Sequence, residues 1–98
     1  MNKEEVLEFL KSKKQEFKIK FHVSEIALFG SLARGEANAQ SDIDLLVDFE
    51  PGTERIYEMK EGIKKLVGDH FQVSVDIGTE KYLKHYYKKQ ILSNAIFI

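Results

Sequence analysis

The chain has no cysteine, a single proline and almost no net charge. Without cysteine there is neither a disulfide framework nor a thiolate-bound zinc, which suits a reducing cytoplasm. A net charge of −1 gives no global basic field of the kind that drives nucleic-acid binding, so no direct nucleic-acid contact is expected. No apolar run approaches the ~20 residues of a membrane span. The opening MNKEEVLEFLKSKK is too charged for a secretory signal, so the expected placement is cytoplasmic. Length sets a further bound, since 98 residues suffice for one small domain, 1–98, and not two. A domain of this size buries about two-thirds of the surface its unfolded chain exposes. Its core is thin, and a twin or a partner subunit would add to it, so a homo- or hetero-oligomer is expected.

Apolar residues make up 43% of the chain, and their spacing divides it into elements. Residues 2–16 are predicted helical. Asn2 is placed to cap, Glu5 stands three positions on, and Val6, Phe9, Leu10 and Phe17 form an apolar stripe. Residues 24–29, SEIALF, read as a short buried strand, and SLARGEANAQ as a turn with one helical turn in it. DIDLLVDF alternates: Ile43, Leu45, Val47 and Phe49 face one way, and Asp42, Asp44, Leu46 and Asp48 the other. Pro51-Gly52 ends that strand. Thr53 is the predicted cap of a helix carrying Ile56, Met59, Ile63, Leu66 and Val67, with Gly68 as its stop. FQVSVDI is a second alternating strand, with Asp76 on its polar side. Thr79 is the predicted cap of a last helix running to about Leu92, and AIFI closes the chain as an edge strand. The expected fold is α+β, one small mixed sheet with helices on its apolar face.

Two aspartates open a strand that should bury apolar side chains. Asp42 and Asp44 share a face with Cα atoms roughly 7 Å apart, and two such charges repel by about 2 kcal/mol at an effective dielectric near 20. Aspartate is also a poor strand former. Local conflict of this kind marks places where function overrides stability. A divalent cation would turn the repulsion into shared coordination, and hard oxygen donors suit Mg²⁺ or Mn²⁺. A solvated strand edge fits the same pair, and Asp76 alone reads as an exposed polar residue. An EF-hand loop does not fit, because Leu46 takes the third odd position and the loop glycine is missing. Just upstream, Gly30-Ser31 follows a strand, where a glycine lets a ligand approach the backbone and the serine adds a donor. GSLARG is not a Walker A loop, since Gly35 is followed by Glu36 rather than by lysine.

Gly30-Ser31, Ala33-Arg34-Gly35, Ser41, and Asp42-Ile43-Asp44 together resemble the signature of the DNA polymerase beta superfamily. The chain is similar to its minimal nucleotidyltransferase domains of the antitoxin type. The likeness runs over nearly the whole sequence, including Val75-Asp76-Ile77 and the closing Asn94-Ala95-Ile96-Phe97-Ile98. It implies the polymerase-beta-like fold and metal-dependent transfer of a nucleoside monophosphate from a triphosphate to a hydroxyl. Asp42 and Asp44 would hold two Mg²⁺ ions, with Asp76 completing one site and helping to deprotonate the acceptor. Gly30 and Ser31 would hold the triphosphate. ATP is the implied donor, and the implied partner is a HEPN-type helical toxin, modified on tyrosine. Arg34 could face phosphate or pair with Glu36 or an aspartate.

Two other functions compete with this one. A binding module would neutralise a partner by contact alone, but it has no need of three convergent carboxylates. A nucleotidyltransferase for a small molecule would need a second substrate pocket, for which the chain is short. Lys81, Lys84, His85, Lys88 and Lys89 with Tyr82, Tyr86 and Tyr87 read as a solvated helix face with half-buried tyrosines, or as a contact for nucleotide or an acidic partner. His22 and His70 look ordinary.

Overall fold

The computed structural model describes residues 1–36, 42–79 and 94–98. The predicted last helix beyond Thr79 and the motif residue Ser41 lie outside them. Within the described residues the order is α1 (Lys3–Ser12), α2 (Lys14–Phe21), β1 (Val23–Phe29), α3 (Gly30–Ala33), β2 (Ile43–Phe49), α4 (Ile56–Phe71), β3 (Val75–Gly78) and β4 (Ile96–Phe97).

The four described strands form one mixed sheet in the order β3-β2-β1-β4. β1 runs antiparallel to β2 and to β4, and β2 runs parallel to β3. The parallel pair requires a crossover, and α4 provides it. The expected α+β arrangement is therefore present, and the closing segment forms the expected short strand beside β1.

Alternation in β1 and β2 sets the core. Ile26, Leu28, Ile43, Leu45 and Val47 are almost wholly buried and meet Val6, Leu10, Phe17, Phe21, Ile63 and Val67 from the three longer helices. Leu46, on the opposite face, is also buried, so that face is not uniformly polar. Leu46 stands opposite Ala27 on β1 and Gly78 on β3, and Ala27 is itself buried. The middle of the acidic face is thus apolar, and the charges lie beyond it. Among the described residues, no helix is long and apolar enough to cross a membrane.

Four local expectations are corrected. The first helix is two. It begins as expected, with the Asn2 side chain accepting from the Glu5 N–H at 2.9 Å, but Lys13 leaves helical geometry at φ −103°, ψ 8°. Its N–H is shared among carbonyls of the preceding turn, and Ser12 Oγ donates to the Phe9 carbonyl at 2.6 Å. α2 then continues to Phe21 and ends on His22 in the left-handed region. Thr53 does not cap α4, because its hydroxyl donates to the Glu50 carbonyl at 2.6 Å and tightens the Pro51-Gly52 turn.

Gly68 does not stop α4. A Cβ at Gly68 would lie 3.0 Å from the Val73 carbonyl, so this glycine admits a close backbone approach while the helix runs on to Phe71. Gln72 ends it at φ 57°, and the Val73 N–H donates to the Gly68 carbonyl at 3.2 Å. The third strand consequently starts at Val75, not at Phe71. Phe71 remains helical and packs edge-on to Phe9, with ring centroids 5.3 Å apart, while His70 stacks on Phe9 at 4.0 Å.

Two substitutions test this packing. Leu45→Ala should cost about 2–5 kcal/mol of unfolding free energy, as a large-to-small change at a fully buried site. Gln72→Gly should gain up to about 1 kcal/mol, because glycine occupies the left-handed terminus without a Cβ penalty. Urea denaturation of both variants beside the parent chain measures each shift.

Candidate active site

The site is built where β1 and β2 meet at one end of the sheet. Phe29, the last residue of β1, is paired with Asp44, the second residue of β2. Asp44 is in turn paired with Asp76 across the parallel ladder, and neighbouring strands lie about 4.8 Å apart. Asp42 precedes β2 by one residue and is exposed, as is Asp76, while Asp44 is half-buried. Ile43 N–H donates to the Ser74 carbonyl at 3.0 Å, which fixes the register that sets the two aspartates opposite each other.

Gly30 crosses directly over Asp44. Its φ is +77°, and an added Cβ would collide with the Asp44 carboxylate, with Asp44 Cγ only 3.0 Å away. Both the backbone angle and the space therefore require glycine here. The chain then makes the single turn α3, anchored by buried Leu32 and Ala33. Ser31 is half-buried beside Gly30. The expected helical turn after Gly30 is therefore present, and it carries Ser31 to the acidic end of the sheet.

Asp44 feels its surroundings. Partial burial pushes its carboxyl above the ordinary value, and the charges of Asp76 and Asp42 push it further, while Arg34 opposes them. Asp44 is thus within electrostatic reach of both other aspartates. Their side chains do not form a closed cage, however. Among the described residues, no group of three His, Cys, Asp or Glu side chains stands close enough together to hold a metal ion. The donors do suit one, since they are hard carboxylate oxygens carried by adjacent strands and raised in energy by mutual repulsion.

Arg34 takes one of the pairings anticipated for it. Its Nε donates to Glu36 Oε2 at 3.1 Å, and its charge also reaches Asp44. Exposed pairs of this kind add little to stability. The site feature that sequence reading left open is this Glu36 contact; its signal was the Arg-Gly-Glu spacing, in which Gly35 at φ +76° turns the chain so that the two side chains meet.

Comparison with known proteins gives a consistent result. The family profile described as a nucleotidyltransferase domain matches residues 3–98. A Thermococcus cleftensis protein named protein adenylyltransferase MntA is 36% identical over 97 residues, which are 97% of this chain and 94% of the relative. A Methanocaldococcus jannaschii protein assigned as a protein adenylyltransferase is 37% identical over 99 residues, 96% of this chain and 95% of that one. A solved structure assigned as a minimal nucleotidyltransferase superposes with a TM-score of 0.77 at 33% identity, covering 98% of this chain and 95% of its own. The crystal structure of a toxin–antitoxin with AMP-PNP shares the fold, with a TM-score of 0.65 at 18% identity over 99% of this chain and 72% of that one.

The geometry fixes two outcomes. Gly30→Ala should destabilise the protein by about 2 kcal/mol or more, from the left-handed backbone and the collision with Asp44 together. Asp44→Asn should do the reverse in metal-free buffer. It removes a like-charge contact whose value, discounted for solvent exposure, is about 1 kcal/mol, and the midpoint of thermal unfolding should rise by about 4–8 °C. The sign follows from linkage. The folded state holds the Asp44 proton more tightly than the unfolded chain, so stability falls as pH rises from the ordinary aspartate value of 3.8 through the raised one. The Asp44→Asn variant lacks that slope, so the two unfolding curves should converge at acid pH and separate near neutrality.

Proposed function

Because this chain belongs to the nucleotidyltransferase domain family, as a minimal member similar to the MntA-type protein adenylyltransferases, we propose that it transfers AMP from ATP to a tyrosine hydroxyl of a helical, HEPN-type toxin and so acts as that toxin's antitoxin. The observation that carries the reading is the placement of Asp44. Its charged side chain is half-buried in a strand of the core sheet, faces Asp76 across the ladder and is crossed by Gly30. A protein that bound its partner by contact alone would gain nothing from that costly arrangement.

In this reading residues 1–98 act as one catalytic domain in the cytoplasm, in complex with the partner. Asp42, Asp44 and Asp76 hold two Mg²⁺ ions, and Gly30 and Ser31 hold the triphosphate. Bound magnesium supplies charge neutralisation at the triphosphate and the departing pyrophosphate. Gly30, lacking a side chain, lets a phosphate come up to the backbone beside Asp44, and the Ser31 hydroxyl donates to it. Asp76 is exposed on the far side of Asp44 and accepts the proton of the attacking hydroxyl. The acceptor oxygen bonds to the α-phosphorus as the bond to the β-phosphate oxygen breaks, and pyrophosphate leaves. Such displacements depend on positioning and charge, which these few side chains are equipped to provide.

The test is direct. With Mg²⁺, ATP and a co-purified partner, intact-mass spectrometry should show the partner gaining one or more AMP units. Asp42→Asn, Asp44→Asn and Asp76→Asn should each reduce that gain by at least about 100-fold, the scale of losing a principal charge-stabilising group. Neutralisation of the partner that survives all three substitutions without a mass change would instead establish a binding module.

A further inference from the structure

Seven residues, Gly30 to Glu36, fold back on themselves. Arg34 N–H donates to the Gly30 carbonyl at 3.2 Å, Gly35 N–H to the Leu32 carbonyl at 3.1 Å, and Glu36 N–H to the Ser31 carbonyl at 2.9 Å. The last of these bonds ties the Glu36 backbone to the residue proposed to hold phosphate. The Glu36 side chain meanwhile receives Nε of Arg34 at 3.1 Å. Gly35 makes this possible through its φ of +76°. Among the described residues nothing lies within 4 Å of a Cβ placed there, and it is the backbone angle that calls for glycine.

The choice of nitrogen matters. Nε is the inner nitrogen of the guanidinium fork, and a grip at that point leaves the outer pair to a second oxyanion. The Arg34 backbone is also tied to the carbonyl of Gly30, the residue that crosses over Asp44. Both side chains of the pair are substantially exposed, at 43% and 65%, so the contact adds little to folding. It does restrict a long side chain that would otherwise lose much rotamer freedom on meeting a ligand.

We propose that Glu36 is a positioning residue for the triphosphate of ATP: tied by its backbone to Ser31 and by its carboxylate to Arg34 Nε, it holds the Arg34 guanidinium at the Gly30–Ser31 turn beside Asp44. The inference rests on the nucleotidyltransferase reading. It assigns Glu36 an effect opposite in sign to its charge. An acidic side chain near a triphosphate repels it, so deleting the charge should tighten binding if electrostatics alone operated. Deletion weakens binding if the carboxylate acts through Arg34.

Isothermal titration of the full chain with ATP and Mg²⁺ decides between these, since it needs no partner. Glu36→Ala should raise the ATP Kd about three- to tenfold, the range of coupling between residues in contact. Glu36→Gln keeps an acceptor for Nε without the charge and should stay within about twofold of the parent chain. Arg34→Ala should weaken binding at least as much as Glu36→Ala, and Arg34→Ala with Glu36→Ala should match Arg34→Ala alone. Unfolding midpoints of all variants should lie within a few degrees of the parent, as expected for exposed sites. Equal or tighter ATP binding by Glu36→Ala would overturn the proposal, as would a further loss when Glu36→Ala is added to Arg34→Ala. A parent chain that binds no ATP would instead overturn the underlying enzymatic reading, an outcome plainly distinct from the other two.

Discussion

The close approach of Gly30 to the Asp44 carboxylate is the contact around which the rest is arranged. It joins the end of β1 to the second residue of β2, and it places the Gly30–Ser31 turn over the acidic end of the sheet. The parallel pairing of β2 with β3 then brings Asp76 opposite Asp44. Partial burial of Asp44 and the charges of Asp76 and Asp42 raise the energy of the charged carboxylate, and Arg34 offsets them only in part. A fold that accumulates like charge at one end of its sheet is held together by something else.

That something is the other face of the same strands. Ile43, Leu45 and Val47 are fully buried and lie on β2 between and beyond the aspartates. Burying one such side chain is worth about 1.5–3 kcal/mol, so a single aliphatic residue can outweigh the screened repulsion among the carboxylates. Period-two alternation lets one strand do both jobs, with core on one side and charge on the other. The same division explains why the turn is stable although its tip is exposed: Leu32 and Ala33 point into the core while Arg34 and Glu36 remain in solvent.

Much of this was legible in the sequence, and the failures have physical causes. The alternation of 43–49 is strict, so both the strand and its faces could be read directly. Gly30-Ser31 after an apolar run marked the turn. By contrast Lys13 carries no breaker signal, and the split of the first helix comes from local bonding to the preceding carbonyls. Gly68 misled because a glycine inside a helix can serve a tertiary approach, here that of the Val73 carbonyl, as well as a terminus. Thr53 misled because its hydroxyl had a nearer acceptor in Glu50. The contact of Gly30 with Asp44 lies beyond any local pattern, since it depends on the register of two strands. The pairing of Arg34 with Glu36 was one of several open choices until the Gly35 backbone angle selected it.

Crystals grown with manganese and AMP-PNP, measured at a wavelength where manganese scatters anomalously, address the central claim most directly. If the aspartates are ligands, anomalous peaks appear about 2.0–2.2 Å from carboxylate oxygens of Asp42 and Asp44, with Asp76 on one of the ions and the triphosphate over Gly30 and Ser31. Nucleotide bound elsewhere, with no manganese at any of the three carboxylates, would contradict it.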